Sequence, residues 1–316
     1  MADDNDKQTA VPDTANDVNG NLPRKIKVGF IFLSLVPVAI FLMVQTVAEM
    51  PFFIMAIVDV YKGAVATTVS DPTDVTQNLI GIFNERYALY SYFAYAVLGI
   101  VVFGIWYYKG FVKPNPRVKL NRIFGVKSII AAFGMAIGFY FAINAVLILI
   151  GMLFPQVIEN YNSTMETVGL GTDPVLTIVY AILLGPVIEE LVFRGVVFSF
   201  LEKAGIKPGI IIGVTGLLFG LVHIYPIQVV YAAALGTFLG FMRYKYRSIL
   251  ITIVAHMLLN LMGTYGEMAL NQFDPSNGIL LIAGGIGLVV IVFVIVLING
   301  DKNTFRSADT KKEDIS

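Results

Sequence analysis

Residues 174–205 read PVLTIVYAILLGPVIEELVFRGVVFSFLEKAG. An apolar run of this length suits a membrane-crossing helix, because about 20 residues at ~1.5 Å each span the hydrocarbon core. Yet Glu189, Glu190 and Arg194 lie near its middle. Each ionised group near the bilayer centre opposes insertion by about 2.5–3.5 kcal/mol. Together they weigh against insertion by as much as a whole domain's stability. Residues that costly are kept for a function or for a dedicated partner. Spacing divides them. Glu190 and Arg194 are four apart, share a helix face and can pair within the helix. Glu189 is turned about 100° away and is left facing a cavity between helices. The pattern predicts one carboxylate held ionised by Arg194 and one available for proton transfer.

The rest of the chain fits this span. Of the 316 residues, 57% are apolar and 14% charged, where a soluble domain carries about 25% charged residues. Mean hydropathy is +0.77. Eight apolar stretches are long enough for helices in a bilayer: 28–60, 87–108, 128–154, 174–200, 208–225, 226–242, 247–266 and 278–299. The expected fold is an all-α integral membrane bundle of about eight transmembrane helices. Glu49 and Pro51 are expected to mark where the long first stretch leaves the lipid and continues along the interface. The polar ends, 1–24 and 300–316, read as disordered tails, and the first of them has no apolar segment of the signal-peptide kind. Between them the chain divides into N-terminal helices over 25–154, with a basic loop at 109–127, a core over 174–266 and a last helix at 278–299.

Basic residues orient the bundle. With the N-terminus and C-terminus both cytoplasmic, 19 of the 22 Lys and Arg fall on the inner side. Only Lys62 and Arg86 fall outside, and Arg194 lies within a span. Acidic and basic residues balance at 22 each, so no overall field favours nucleic acid. Cysteine is absent, which excludes disulfides, thiolate metal sites and a cysteine nucleophile.

The two histidines are both in later spans. Phe219 and His223 are four apart, as are His256 and Asn260, so each pair occupies one helical face. His256 and Asn260 are expected to project together into the cavity that Glu189 faces. Straight helices leave a mismatch, with His223 roughly 22 Å from the inner end and His256 roughly 14 Å. A tilted or re-entrant 208–225 segment would remove it. A carboxylate with a histidine can polarise water as a general base, and a histidine with an amide can donate to a developing oxyanion. That is an inventory for amide hydrolysis without a covalent intermediate. No Gly-x-Ser-Gly serine motif, no intramembrane aspartate pair and no His-Glu-x-x-His zinc helix occurs in the spans. Glu189, His223 and His256 could still hold Zn²⁺ with an open fourth position. No other cofactor is expected.

EELVFRG (189–195), FGLVH (219–223) and HMLLN (256–260) resemble, in order, the three motifs of the CAAX protease and bacteriocin-processing (Abi) family of intramembrane glutamic endopeptidases. The likeness covers about 174–265, and the first 150 residues carry no matching motif. It implies a helical membrane protease with a cavity open to the cytoplasm. By the match, Glu189 and His223 would activate the attacking water, and His256 and Asn260 would stabilise the oxyanion. Glu190 with Arg194 would hold the site together, and Phe219 would pack beside His223. The expected substrate is a prenylated CAAX-type tail or another apolar peptide, such as a bacteriocin or signalling peptide. The competing readings are a non-catalytic protein that binds a membrane partner (a sensor kinase or a bacteriocin receptor) and a proton-relaying transporter. The expected surroundings are the plasma membrane and its anionic inner-leaflet lipid, with no nucleic acid partner.

Overall fold

The computed structural model describes residues 26–66, 72–113, 123–167, 174–223, 225–266, 272–273, 275–301 and 304. The tail 1–24, the middle of the basic loop 109–127 and most of 300–316 lie outside the described residues. Among the described residues there is no strand. The chain runs through α1 (Val28–Ala66), α2 (Val75–Val112), α3 (Val126–Leu153), α4 (Pro155–Thr167) and α5 (Val175–Lys203). It then forms α6 (Pro208–Leu221), α7 (Pro226–Tyr246), α8 (Leu250–Gly266) and α9 (Asn277–Gly300). Helices are the expected answer for a chain of this composition, because lipid offers backbone N–H and C=O groups no partner.

Five of them, α1, α2, α3, α5 and α9, are long and apolar enough to cross a membrane. Their outer surfaces are those of a lipid-facing protein. On α9, Ile282, Ile286, Val289, Val292, Phe293 and Val296 are all exposed. Its opposite stripe, Gly284, Gly287 and Val294, is buried against α3, where a Cβ on Gly287 would stand 2.6 Å from the Gly138 carbonyl oxygen. A continuous exposed apolar belt is not tolerated by a monomer in water. The chain is an integral membrane protein.

All eight apolar stretches of the sequence are helical, with changed limits. The first is one helix, α1, which continues past Glu49 to Ala66 with Pro37 and Pro51 inside it. Proline is accommodated within apolar membrane helices because neighbouring groups re-satisfy the freed carbonyl. Between the apolar stretches, Pro155–Thr167 forms α4, a polar helix tied to the bundle by a 3.2 Å hydrogen bond between the Tyr161 and Tyr231 hydroxyls. Helix α6 ends at Leu221, so His223 lies in a bend beyond it.

Helices α6 and α7 form a hairpin whose backbones touch. A Cβ on Gly216 would come within 2.6 Å of the Thr237 nitrogen, and one on Gly220 within 2.6 Å of the Val229 oxygen. One on Gly236 would press on Phe219, on Gly216 and, at 3.1 Å, on the Arg194 guanidinium. Small residues are required wherever two helices approach this closely. The hairpin thereby brings the backbone of α7 against the middle of α5.

Candidate active site

Helix α5 is not a regular α-helix. Two π-helical segments, Val179–Leu184 and Leu191–Val197, interrupt it on either side of the Gly185–Glu190 turn. Such widened i→i+5 turns are uncommon and concentrate at functional sites. In each, one carbonyl is held by a side chain from another helix. Asn260 Nδ2 of α8 donates to the Ala181 oxygen at 2.8 Å, and Arg243 Nε of α7 donates to the Arg194 oxygen at 3.1 Å. These two clips fix the α5 backbone around its paired carboxylates.

The expected pairing of Glu190 with Arg194 is present. Arg194 Nη1 donates to Glu190 Oε1 at 2.9 Å, and both side chains are fully buried. The other arm of the guanidinium, Nη2, donates to the Gly236 oxygen at 2.8 Å, while its carbon stands 4.4 Å over the Phe219 ring. A planar guanidinium can serve a carboxylate, a carbonyl and an aromatic face together, where an ammonium could not. Arg194 thus ties α5 to both arms of the α6–α7 hairpin.

His256, 4% exposed, stands between the two carboxylates. Its Nδ1 is 3.2 Å from Glu190 Oε1, and its Nε2 is 3.6 Å from Glu189 Oε2. Glu190, ionised by Arg194, can only accept, so Nδ1 carries the hydrogen. A neutral His256 would then turn its Nε2 lone pair toward the Glu189 carboxylate. That contact is favourable only when a proton sits between the two, on one side or the other. Glu189, at 22% side-chain exposure, is the open carboxylate of the pair, as its position on the helix predicts.

His223 reaches the same place from the α6–α7 bend. Its Nδ1 lies 2.8 Å from the Phe219 oxygen, a carbonyl that only accepts. The Nδ1–H therefore donates, and Nε2 keeps the lone pair of the neutral ring. The Phe219 ring lies between the histidines, 5.0 Å from His223 and 5.6 Å from His256, each edge to face. The 8 Å depth mismatch of straight helices therefore does not separate the rings; the early end of α6 brings them to one aromatic side chain. Among the described residues no hydrogen bond joins Glu189 to His223, and Glu189 lies against His256 instead. Asn260 has one amide hydrogen on Ala181 and a second still to donate. No group of three or more His, Asp or Glu with the arrangement of a metal site occurs among the described residues.

Two contributors escape a reading of the sequence. Gly236 acts through its backbone carbonyl, which no residue pattern reports. Arg243 looks like one of the basic residues flanking a span, yet it is 6% exposed and bonds the Arg194 carbonyl. Its only sequence signal is its place beside Phe241 and Met242, one turn before the last basic residue of the run.

No curated protein and no solved structure matches the chain. A family model does. Residues 171–262, which hold Glu189, Glu190, Arg194, His223, His256 and Asn260, match the family described as type II CAAX prenyl endopeptidase Rce1-like.

Proposed function

We propose that the protein is an intramembrane endopeptidase in which Glu189 and His223 activate water against a peptide bond and His256 with Asn260 stabilises the oxyanion. The observation that carries this reading is His256 lodged between Glu190 and Glu189, at 3.2 and 3.6 Å, with His223 against the same phenylalanine. Glu189, or His223 through its Nε2 lone pair, takes a proton from water. The hydroxide adds to the scissile carbonyl carbon, and the carbonyl electrons move onto oxygen. His256 and the second amide hydrogen of Asn260 donate to that oxyanion. When the tetrahedral species collapses, the carbon–nitrogen bond breaks and the retained proton goes to the leaving amine. Glu190 and Arg194 keep the imidazole oriented. Phe219 keeps the two rings apart and dry.

The substrate class we assign is a peptide with an apolar or prenylated tail, drawn from the bilayer to a site near the inner face. The family description supports it, as does the lipid-facing surface of the bundle. The decisive experiment is mass spectrometry of membrane peptides from cells carrying the wild type or Glu189→Ala. A product that disappears with the variant identifies the substrate. Identical peptide sets from both would count against proteolysis and favour a protein that acts by binding.

The same chemistry needs no metal. His256 already has a carboxylate at each nitrogen, and His223 has one nitrogen on a carbonyl. Purified protein is expected to hold less than one zinc per chain, and exhaustive chelation is expected to leave hydrolysis intact. One tightly held zinc, with activity lost on removal and restored on return, would make Glu189, His223 and His256 ligands instead.

We further assign eight crossings with both termini cytoplasmic, in the plasma membrane. The ends expected on the inner side meet at one end of the bundle. The Lys27 N–H bonds the Ala204 oxygen at 3.0 Å, Lys203 bonds the Gly110 oxygen at 3.2 Å, and Tyr246 bonds Asp301 at 3.4 Å. Arg247 bonds Glu202 at 2.5 Å beside them. Since the chain lacks cysteine, single-cysteine variants report topology cleanly. In intact cells Lys62→Cys is expected to react with a membrane-impermeant maleimide, and Lys207→Cys only after permeabilisation. The reverse pattern would invert the orientation.

A further inference from the structure

Beyond the three motifs, phenols from α2 and from α5 itself gather where α2 packs on the helix that carries Glu189. Tyr180 is in the first π segment of α5, next to Ala181, whose carbonyl Asn260 holds. Its ring stacks on Tyr92 of α2 with centroids 5.2 Å apart and planes 21° apart. Tyr95, one turn beyond Tyr92 on the same face of α2, is 4% exposed and packs edge-on against Phe41 of α1 at 5.6 Å. Both rings are thus fixed by aromatic packing. Glu189 lies within electrostatic range of both phenols, and Tyr95 and Tyr180 within range of each other. Neither hydroxyl has a hydrogen-bond partner among the described residues.

Both hydroxyl oxygens keep some exposure, and a phenol with no protein acceptor is a donor free for a guest. Tyr95 comes from α2, which lies outside the family-matching segment 171–262. The N-terminal helices therefore contribute to the site as well as enclosing it.

We propose that Tyr95 and Tyr180 bind the substrate backbone, their hydroxyls donating to peptide carbonyls next to the scissile bond and so setting which bond meets Glu189. This rests on the endopeptidase reading above. An extended peptide entering a membrane site brings carbonyls that have lost water and need donors. Rigid phenols supply them at low entropic cost, since Tyr has few rotatable bonds to fix.

The test uses full-length protein in proteoliposomes and an internally quenched farnesyl-cysteine peptide, with wild type, Glu189→Gln, Tyr95→Phe, Tyr180→Phe and the double Phe variant. Phenylalanine keeps the ring stacking, so melting temperatures should match the wild type. Each single variant is expected to lose about fivefold in kcat/KM, chiefly through KM, as one neutral hydrogen bond commands. The double variant is expected to cut at additional bonds when products are mapped by mass spectrometry. Phe variants within twofold of wild type and with an unchanged cleavage position, while Glu189→Gln is inactive, would overturn the tyrosine assignment and leave the protease reading standing. A wild type no more active than Glu189→Gln would overturn both. A fall in kcat/KM accompanied by an equal loss of thermal stability would show the hydroxyls to be structural, and would also overturn the assignment.

Discussion

Glu189→Gln is expected to lower peptide hydrolysis by a factor of about 10² or more while leaving the melting temperature in detergent unchanged. Glutamine keeps the size of the side chain and can stay beside His256, whose Nε2 is 3.6 Å from Glu189 Oε2. It cannot take a proton from water, and it removes the negative charge that favours a proton between itself and His256 Nε2. The side chain is the more exposed of the paired carboxylates and has no Lys or Arg within pairing distance among the described residues, so its neutralisation should not disturb packing. Glu190→Gln should behave differently. There the lost charge leaves the buried Arg194 guanidinium without its counter-ion at 2.9 Å, and one neutral amide oxygen must serve both Arg194 Nη1 and His256 Nδ1. Folding should suffer along with activity. The measurement is initial rate in proteoliposomes beside a thermal melt for each variant. Near-normal rates for Glu189→Gln, with a stable but inactive Glu190→Gln, would show that the two roles have been assigned the wrong way round.

How far the sequence reveals this arrangement depends on the kind of signal. Apolar length and the i,i+4 rule suffice for the helices and for the Glu190–Arg194 pair, because both are periodic properties of single segments. The division of labour between adjacent carboxylates follows from the same periodicity. What escapes is information held in the backbone. Nothing in residue type distinguishes an i→i+5 turn from an i→i+4 turn, so the π segments at 179–184 and 191–197 leave no trace in the pattern. The meeting of the two histidines on one aromatic ring is missed for a related reason. Depths counted along ideal straight helices separate the histidines, whereas α6 in fact stops at Leu221 and bends. Arg243 counts in the sequence only as a basic residue at a span end, which does not report that its guanidinium turns inward to the Arg194 carbonyl. Helix α4 leaves no apolar signal because its residues are mostly polar.

Arg194→Ala is expected to destabilise the protein by about 3–5 kcal/mol, the range for breaking a buried ion pair from one side. The loss has three parts that act at one point. Glu190 keeps its charge but loses the Nη1 donor, in a setting where both side chains are fully buried. The Gly236 carbonyl loses the Nη2 donor, so the close α6–α7 hairpin is no longer anchored to α5. Phe219 loses the cation over its face, and with it part of what holds the ring between His223 and His256. Arg194→Lys tests the division. A single ammonium can neutralise Glu190 but cannot reach the carboxylate and the Gly236 carbonyl in one planar fork, so stability should recover in part and activity less. The expected readout is poor membrane expression and a lowered melting temperature for Ala, intermediate for Lys, with hydrolysis reduced in both. An Ala variant that is well expressed, thermally normal and inactive would mean that Arg194 acts on substrate or water and does not brace Glu190, leaving the buried carboxylate to be balanced by His256 alone.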